Sequence, residues 1–202
     1  MNTVRIAAPI ALTTLALSAC GGSHSNGHQE STAPTTTTRP SVAVSVAPPS
    51  PQRNDTGRPV VTFDPCVDIG DSTIAKLGFD PATRKRNDLS ADTYTFVGCD
   101  FDQKTPEGWT AWTLNISATN ITLAEDRSRF QDTAENIKIA GHDAVRHLLT
   151  KGGLGTTCYL EMESPVGVVS LQLYLNPARA TGNSCERIRQ LAETVQQDLP
   201  KK

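Results

Sequence analysis

Apolar and polar residues alternate with period two in several stretches after residue 93, and the first of these are rich in aromatic and β-branched side chains. "TYTFVGCDF" (93–101) and "GWTAWTLNISA" (108–118) have this pattern on either side of a Pro-Glu-Gly turn region, which predicts an antiparallel pair. Two shorter strands are predicted around Gly141, over "NIKIAG" and "HDAVRHLL". Further on, "CYLEME" and "GVVSLQLYL" meet across Ser164-Pro165. In the second of these, Val169, Leu171, Leu173 and Leu175 fall on one face and Val168, Ser170, Gln172 and Tyr174 on the other, as a half-buried strand requires.

Helical periods punctuate the strands. "FDPCVDIGDSTIAKLG" (63–78) starts with Asp64 ahead of Pro65, an N-cap followed by proline at the first helical position. Gly70 interrupts, Asp71 is placed to cap again and Gly78 closes, so a short broken helix is expected. "TLAEDRSRFQDTAE" (122–135) opens with Thr122 three residues before Glu125, the signature of a capping box. In "CERIRQLAETVQQDL" (185–199), Ile188, Leu191, Ala192, Val195 and Leu199 form one apolar stripe, with Asn183 or Ser184 as cap. The fold class expected is α+β: an antiparallel sheet of five or six strands, with helices mainly on one face.

The front of the chain follows a different rule. Residues 1–19 combine Arg5, an apolar run from Ile6 to Leu17 and the small pair Ser18-Ala19, the three parts of an export signal. The run is shorter than the roughly 20 residues a membrane-crossing helix needs. It closes on Leu-Ser-Ala-Cys, which resembles the bacterial lipobox, in which small residues precede a cysteine whose thiolate accepts a diacylglyceryl group. Cys20 is therefore expected to become the mature N-terminus, carrying S-diacylglycerol and an N-palmitoyl chain. Each buried methylene contributes about 0.8 kcal/mol, so two or three acyl chains would hold the protein on the membrane. The expected location is the extracytoplasmic face of the cell membrane.

Residues 21–59 hold six Ser, six Thr, six Pro and four Gly, with Val42, Val44 and Val46 as the larger aliphatics. Such a composition buries too little apolar surface to offset its ordering entropy, and 20–59 is read as a lipidated cysteine followed by a disordered tether. Residues 60–202 remain as one extracytoplasmic domain, with 15 Lys+Arg against 19 Asp+Glu. The charge run "RKR" at Arg84–Arg86 is short and reads as a solvated loop, so nucleic-acid binding is excluded.

Setting Cys20 aside leaves Cys66, Cys99, Cys158 and Cys185, an even set in an oxidising compartment, where pairing is the default. Of three possible connectivities, Cys66–Cys99 and Cys158–Cys185 suit the predicted elements. Cys158 opens a strand whose hairpin partner turns back toward Cys185, and Cys99 lies in the strand reached after the helix of Cys66. Bridges of this span stabilise by on the order of 3–4 kcal/mol each in the loop-entropy account.

Candidate chemistry is sparse. "KGGLGTT" (151–157) has its lysine before the glycines and a strand after them, the wrong order for a phosphate loop, and reads as a mobile hairpin connection. His24 and His28 read as solvated linker residues, and His142 and His147 as surface or half-buried ones. Asp100 with Asp102, and Glu161 with Glu163, are expected to face solvent. Trp109 and Trp112 point to opposite faces, which leaves one of them exposed or beside a loop. Asn115 and Asn120 match glycosylation sequons that a bacterial envelope would not read. No nucleophile elbow and no paired metal-ligand motif occurs. No catalytic residue, cofactor or metal is expected.

Taken together, "FDPC" with its short helix ending in "KLG", "VGCDF" at Val97–Phe101, "TTCYLEM" and "NSCERIRQLAETV" resemble a family of small actinobacterial, mycobacterial-type envelope lipoproteins that share a four-cysteine domain of unknown function. Phe101 stands where the family commonly has Trp. The resemblance implies a secreted, membrane-tethered α+β domain and transfers no active site. The function expected is a non-enzymatic lipoprotein that binds an envelope protein, a lipid or a glycan. The alternative is a cell-wall hydrolase or transferase whose carboxylates converge only in the fold.

Overall fold

In a computed structural model, the structure describes residues 39–53, 57–149, 156–165 and 167–199. The chain divides at Thr37/Thr38, and all of the described residues lie in the second unit, Thr38–Lys202. The export signal, Cys20 and most of the "KGGLGTT" connection lie outside the described residues. No helix among those described is long and apolar enough to cross a membrane.

The second unit is built on one antiparallel sheet. Its strands are β1 (Asp80–Arg86), β2 (Leu89–Ser90), β3 (Thr95–Lys104), β4 (Thr110–Thr119), β5 (Glu135–Ile139), β6 (His142–His147), β7 (Thr157–Ser164) and β8 (Gly167–Leu175). They lie in the order β1-β3-β4-β8-β7-β6-β5, with the two-residue β2 also paired to β3. The seam between β4 and β8, from Trp112↔Leu175 to Thr119↔Val168, joins the β3–β4 hairpin to the β7–β8 hairpin.

Eight strands replace the five or six expected. The additions are β1 and β2, and β1 explains why it escaped notice: "DPATRKR" offers no apolar alternation. Charge and proline are what an edge strand carries to discourage further pairing. The reading of Arg84–Arg86 as a solvated loop is corrected accordingly. The Arg84 side chain is 0% exposed; it donates to the Cys66 carbonyl at 3.0 Å and to Asp71 at 2.6 Å. Arg86 grips both carboxylate oxygens of Asp64 at 2.6 and 2.8 Å.

Strand alternation sorts the sheet's two faces. Val97, Cys99 and Phe101 on β3, Leu114 and Ile116 on β4, Leu160 and Met162 on β7, and Leu171 and Leu173 on β8 are buried on one side. That side is covered by α4 (Ser184–Asp198), which is capped by Asn183 and buries Ile188, Leu191, Ala192 and Val195. Two short helices join it, α1 (Pro65–Asp68) and α2 (Asp71–Lys76). Asp64 caps α1 as expected, but Asp71 is the first residue of α2 rather than its cap, a place taken by Gly70. Cys66–Cys99 pins α1 to β3, and Cys158–Cys185 pins β7 to the start of α4, each with Cα atoms 5.1 Å apart.

The opposite face is polar along its middle and, among the described residues, carries one helix, α3 (Leu123–Arg129). The capping box forms as predicted, with Thr122 and Glu125 exchanging bonds, but the helix stops at Arg129 rather than continuing toward Glu135. A second departure concerns the stretch read as tether. Residues 39–53 lie extended along the domain: the Ala43 amide donates to Asp71 at 2.8 Å, Arg86 donates to the Ala47 carbonyl, and the Ser50 amide donates to Asp88. Gln52 pairs with the Val61 backbone in both directions, and Val46 packs against the core.

Candidate functional site

The polar face of the sheet holds a cleft of about 320 Å³, bounded by α3, the end of β6 and the connection around β2. Alternation explains its lining. Asn115 and Ser117 from β4, Ser170 and Gln172 from β8, and Tyr159 and Glu161 from β7 are the residues whose neighbours in sequence fill the core on the other side. Rings close the walls: Tyr94, Phe96, Phe130 and Tyr159 all border the space. Leu89 (54% exposed) and Leu149 (59% exposed) stand at its border, so two of the few exposed large apolar side chains among the described residues belong to this site.

Three ionisable groups meet at the cleft floor. His147 closes β6 and is buried, with its Nε2 atom 3.2 Å from Glu161 Oε2 and 3.5 Å from Asp126 Oδ1. Asp126 comes from the inward face of α3, where Leu123, Asp126 and Phe130 succeed one another at helical spacing, and Leu123 and Asp126 are buried. Phe130 then stacks on the His147 ring with centroids 3.9 Å apart and planes 10° from parallel, while Tyr159 lies parallel on it at 5.1 Å. The imidazole is thus held between two rings. Ser170 donates to Glu161 Oε1 at 3.0 Å, which sets the orientation of that carboxylate.

The electrostatics are those of a crowded buried cluster. Burial pulls the His147 imidazole down, but the two carboxylates outweigh it and leave its pKa raised to about 9. Burial pushes the Glu161 carboxyl up, with Asp126 adding to the rise against the imidazole and Ser170, which favour the ionised form. Tyr159 is raised by burial and by the Glu161 charge. Among the described residues, Asp126, His147 and Glu161 are the one grouping of this kind with ligand atoms all within 4.8 Å of one another.

Two readings of the sequence are corrected here. His147 is neither surface nor half-buried, and Glu161 does not face solvent; only His142 and Glu163 are exposed. Alternation put Glu161 and Glu163 on one face, but α3 covers that face only over the first of them. Asp100 and Asp102, also expected to face solvent, are half-buried and hold β-face partners: Asp100 accepts from Asn87 and Asn115, and Asp102 from Thr110 and Thr113. Trp109 is the exposed tryptophan at 55%, with the Arg179 guanidinium over it, and Trp112 is buried under Arg187. One signal for Asp126 did exist: an aspartate between Leu123 and Phe130 sits where the helix should present an apolar side chain.

The architecture is an α+β domain with a single antiparallel sheet and two disulfides. A family model described as Protein of unknown function (DUF3558) matches residues 15–198, and the chain belongs to that family. No curated protein and no solved structure matches it.

Proposed function

We propose that this chain is an envelope lipoprotein, anchored through acylated Cys20, whose domain binds a small ligand in the cleft between α3 and the polar face of the sheet. The observation that carries the binding reading is the convergence of four aromatic rings and a buried His–carboxylate cluster on one open space. Pockets that take small molecules have this composition, an apolar body with a few fixed polar groups. The ligand that suits it is amphipathic: a ring-bearing or apolar body against Tyr94, Phe96 and Tyr159, and a polar head toward Glu161. A lipid or a glycan of the envelope meets that description. The anchor rests on the Leu-Ser-Ala-Cys pattern of residues 17–20.

A hydrolase or transferase is the second reading, favoured by the convergence of Asp126 and Glu161. Against it, both carboxylates aim at one imidazole nitrogen within 4.8 Å. A glycosidase pair flanks its bond from about 5 Å or more apart.

The test is to purify the full chain from membranes in mild detergent and weigh it by native mass spectrometry. A bound small molecule is expected, lost on Tyr159→Ala; a bare chain from several preparations, or one that turns over glycan or lipid substrates, would remove the binding reading. Cys20→Ser is expected to move the chain into the soluble fraction, and its retention on washed membranes would remove the anchor.

A further inference from the structure

We infer that Asp126, His147 and Glu161 form a binding site for a divalent transition-metal ion of the zinc type, with a fourth coordination position open to the cleft. The inference deepens the binding reading and rests on it only for the open position; the three ligands stand by themselves. Burial is the first argument. Asp126, His147 and Glu161 are all buried on the cleft floor, where polar atoms without partners are costly.

Hydrogen bonding is the second argument. His147 Nε2 can carry one hydrogen, yet two carboxylate oxygens point at it. Among the described residues, Nε2, Nδ1, Asp126 Oδ2 and Glu161 Oε2 are all buried without a hydrogen-bond partner. One hydrogen on Nε2 is poorly placed to serve oxygens 3.2 and 3.5 Å away, whereas a metal ion can bind all three atoms. The spacing agrees: a tetrahedron with arms of about 2.0–2.1 Å, the usual zinc bond to nitrogen and oxygen, has edges of roughly 3.3–3.4 Å. The Nε2 separations of 3.2 and 3.5 Å bracket that edge.

Preorganisation is the third. The ligands come from α3, β6 and β7, the imidazole is clamped between Phe130 and Tyr159, and Glu161 is held by Ser170. The Ser170 bond to Glu161 is the kind of supporting contact that orients a ligating carboxylate. Three protein ligands with one open position is the arrangement in which zinc binds or polarises an exogenous oxygen. The ligand class this adds is an oxygen donor, such as a carboxylate or a hydroxyl-bearing head group.

The full chain in detergent, stripped with a chelator, is dialysed against Zn²⁺ and its retained metal measured by elemental analysis. Near-stoichiometric retention is expected. Asp126→Asn and His147→Ala should each weaken it at least tenfold, while a His24→Ala/His28→Ala double variant should keep it. Asp126→Asn preserves shape, so it carries the test if His147→Ala does not fold. Thermal melting gives a second readout: Zn²⁺ should raise the midpoint of the parent chain and not that of Asp126→Asn. No retention, retention unchanged in Asp126→Asn, or loss only in the linker-histidine variant would each overturn the site. A chain that takes up no Zn²⁺ but still carries its small molecule refutes the metal site alone. One that binds Zn²⁺ yet carries no small molecule supports the metal site and removes the binding reading.

Discussion

Gly98 shows how one absent side chain shapes the cleft wall. A Cβ built there would lie 2.4 Å from the Asn87 carbonyl oxygen, too close for real atoms, and a tight 3.1 Å from the Ser117 Cβ. The glycine lets the chain between β1 and β2 pass directly over β3, where the Asn87 amide donates to the Gly98 carbonyl at 3.0 Å and the Gly98 amide to Asp88 at 2.9 Å. Gly98→Ala must push that crossing backbone away. A loss of about 1–3 kcal/mol is expected, the usual cost of overpacking a filled interior. Urea unfolding would measure it, and an unchanged midpoint would mean that the crossing chain can move freely. Arg84 teaches a related lesson: a charged residue in a charged tripeptide became a buried peg, because the Cys66 carbonyl and Asp71 were there to receive it.

At the scale of elements, α3 matters most, since it carries Asp126 over the cleft on seven residues. So short a helix depends on its ends. Thr122 and Glu125 cap it, and Arg58 donates to both oxygens of the Glu125 carboxylate, one of these bonds at 3.0 Å. The Arg58 bonds first, then the Thr122 amide, hold the Glu125 pKa down at about 2 against an ordinary 4.5. A carboxyl depressed in the folded state contributes stability that is present above pH 4.5 and fades as pH falls toward 2. The pair is partly solvated, so its share is on the order of 0.2–1 kcal/mol. Glu125→Gln should therefore lower stability near neutral pH by that amount and converge with the parent chain by about pH 2. Denaturant midpoints across that range test it; parallel curves would show that the ion pair does not act on folding.

At the scale of the whole molecule, the boundary of the unit is the instructive point. Composition placed the start of the domain at Val60, but the compact unit begins at Thr38. Residues 39–53 cover α1, α2 and the β1 edge with backbone hydrogen bonds, in which low hydrophobicity is no obstacle. A chain beginning at Val60 should be less stable than one beginning at Thr38 by on the order of 2–3 kcal/mol, from a few lost hydrogen bonds and the Val46 contact. Thermal melts of the two would decide it, and coincident curves would mean that the segment rests on the domain without stabilising it.

Most of the framework was legible because its signals are local. β3, β4, β7 and β8 announce themselves by alternation, α4 by its stripe, and α3 by its capping box, since each depends on residues two to four positions apart. The disulfide pairs followed from those elements. The cleft was not legible, for alternation says which side chains share a face and not which face will be covered. Val145 and His147 look alike in that respect to any exposed pair, until α3 folds over them. The sequence by itself thus determined six of the eight strands, the main helices and the faces of those strands, all properties of neighbouring residues. Only the tertiary structure decided that Asp126, His147 and Glu161 meet, and that charged β1 forms an edge. Both depend on contacts between segments far apart in the chain, which no local period records.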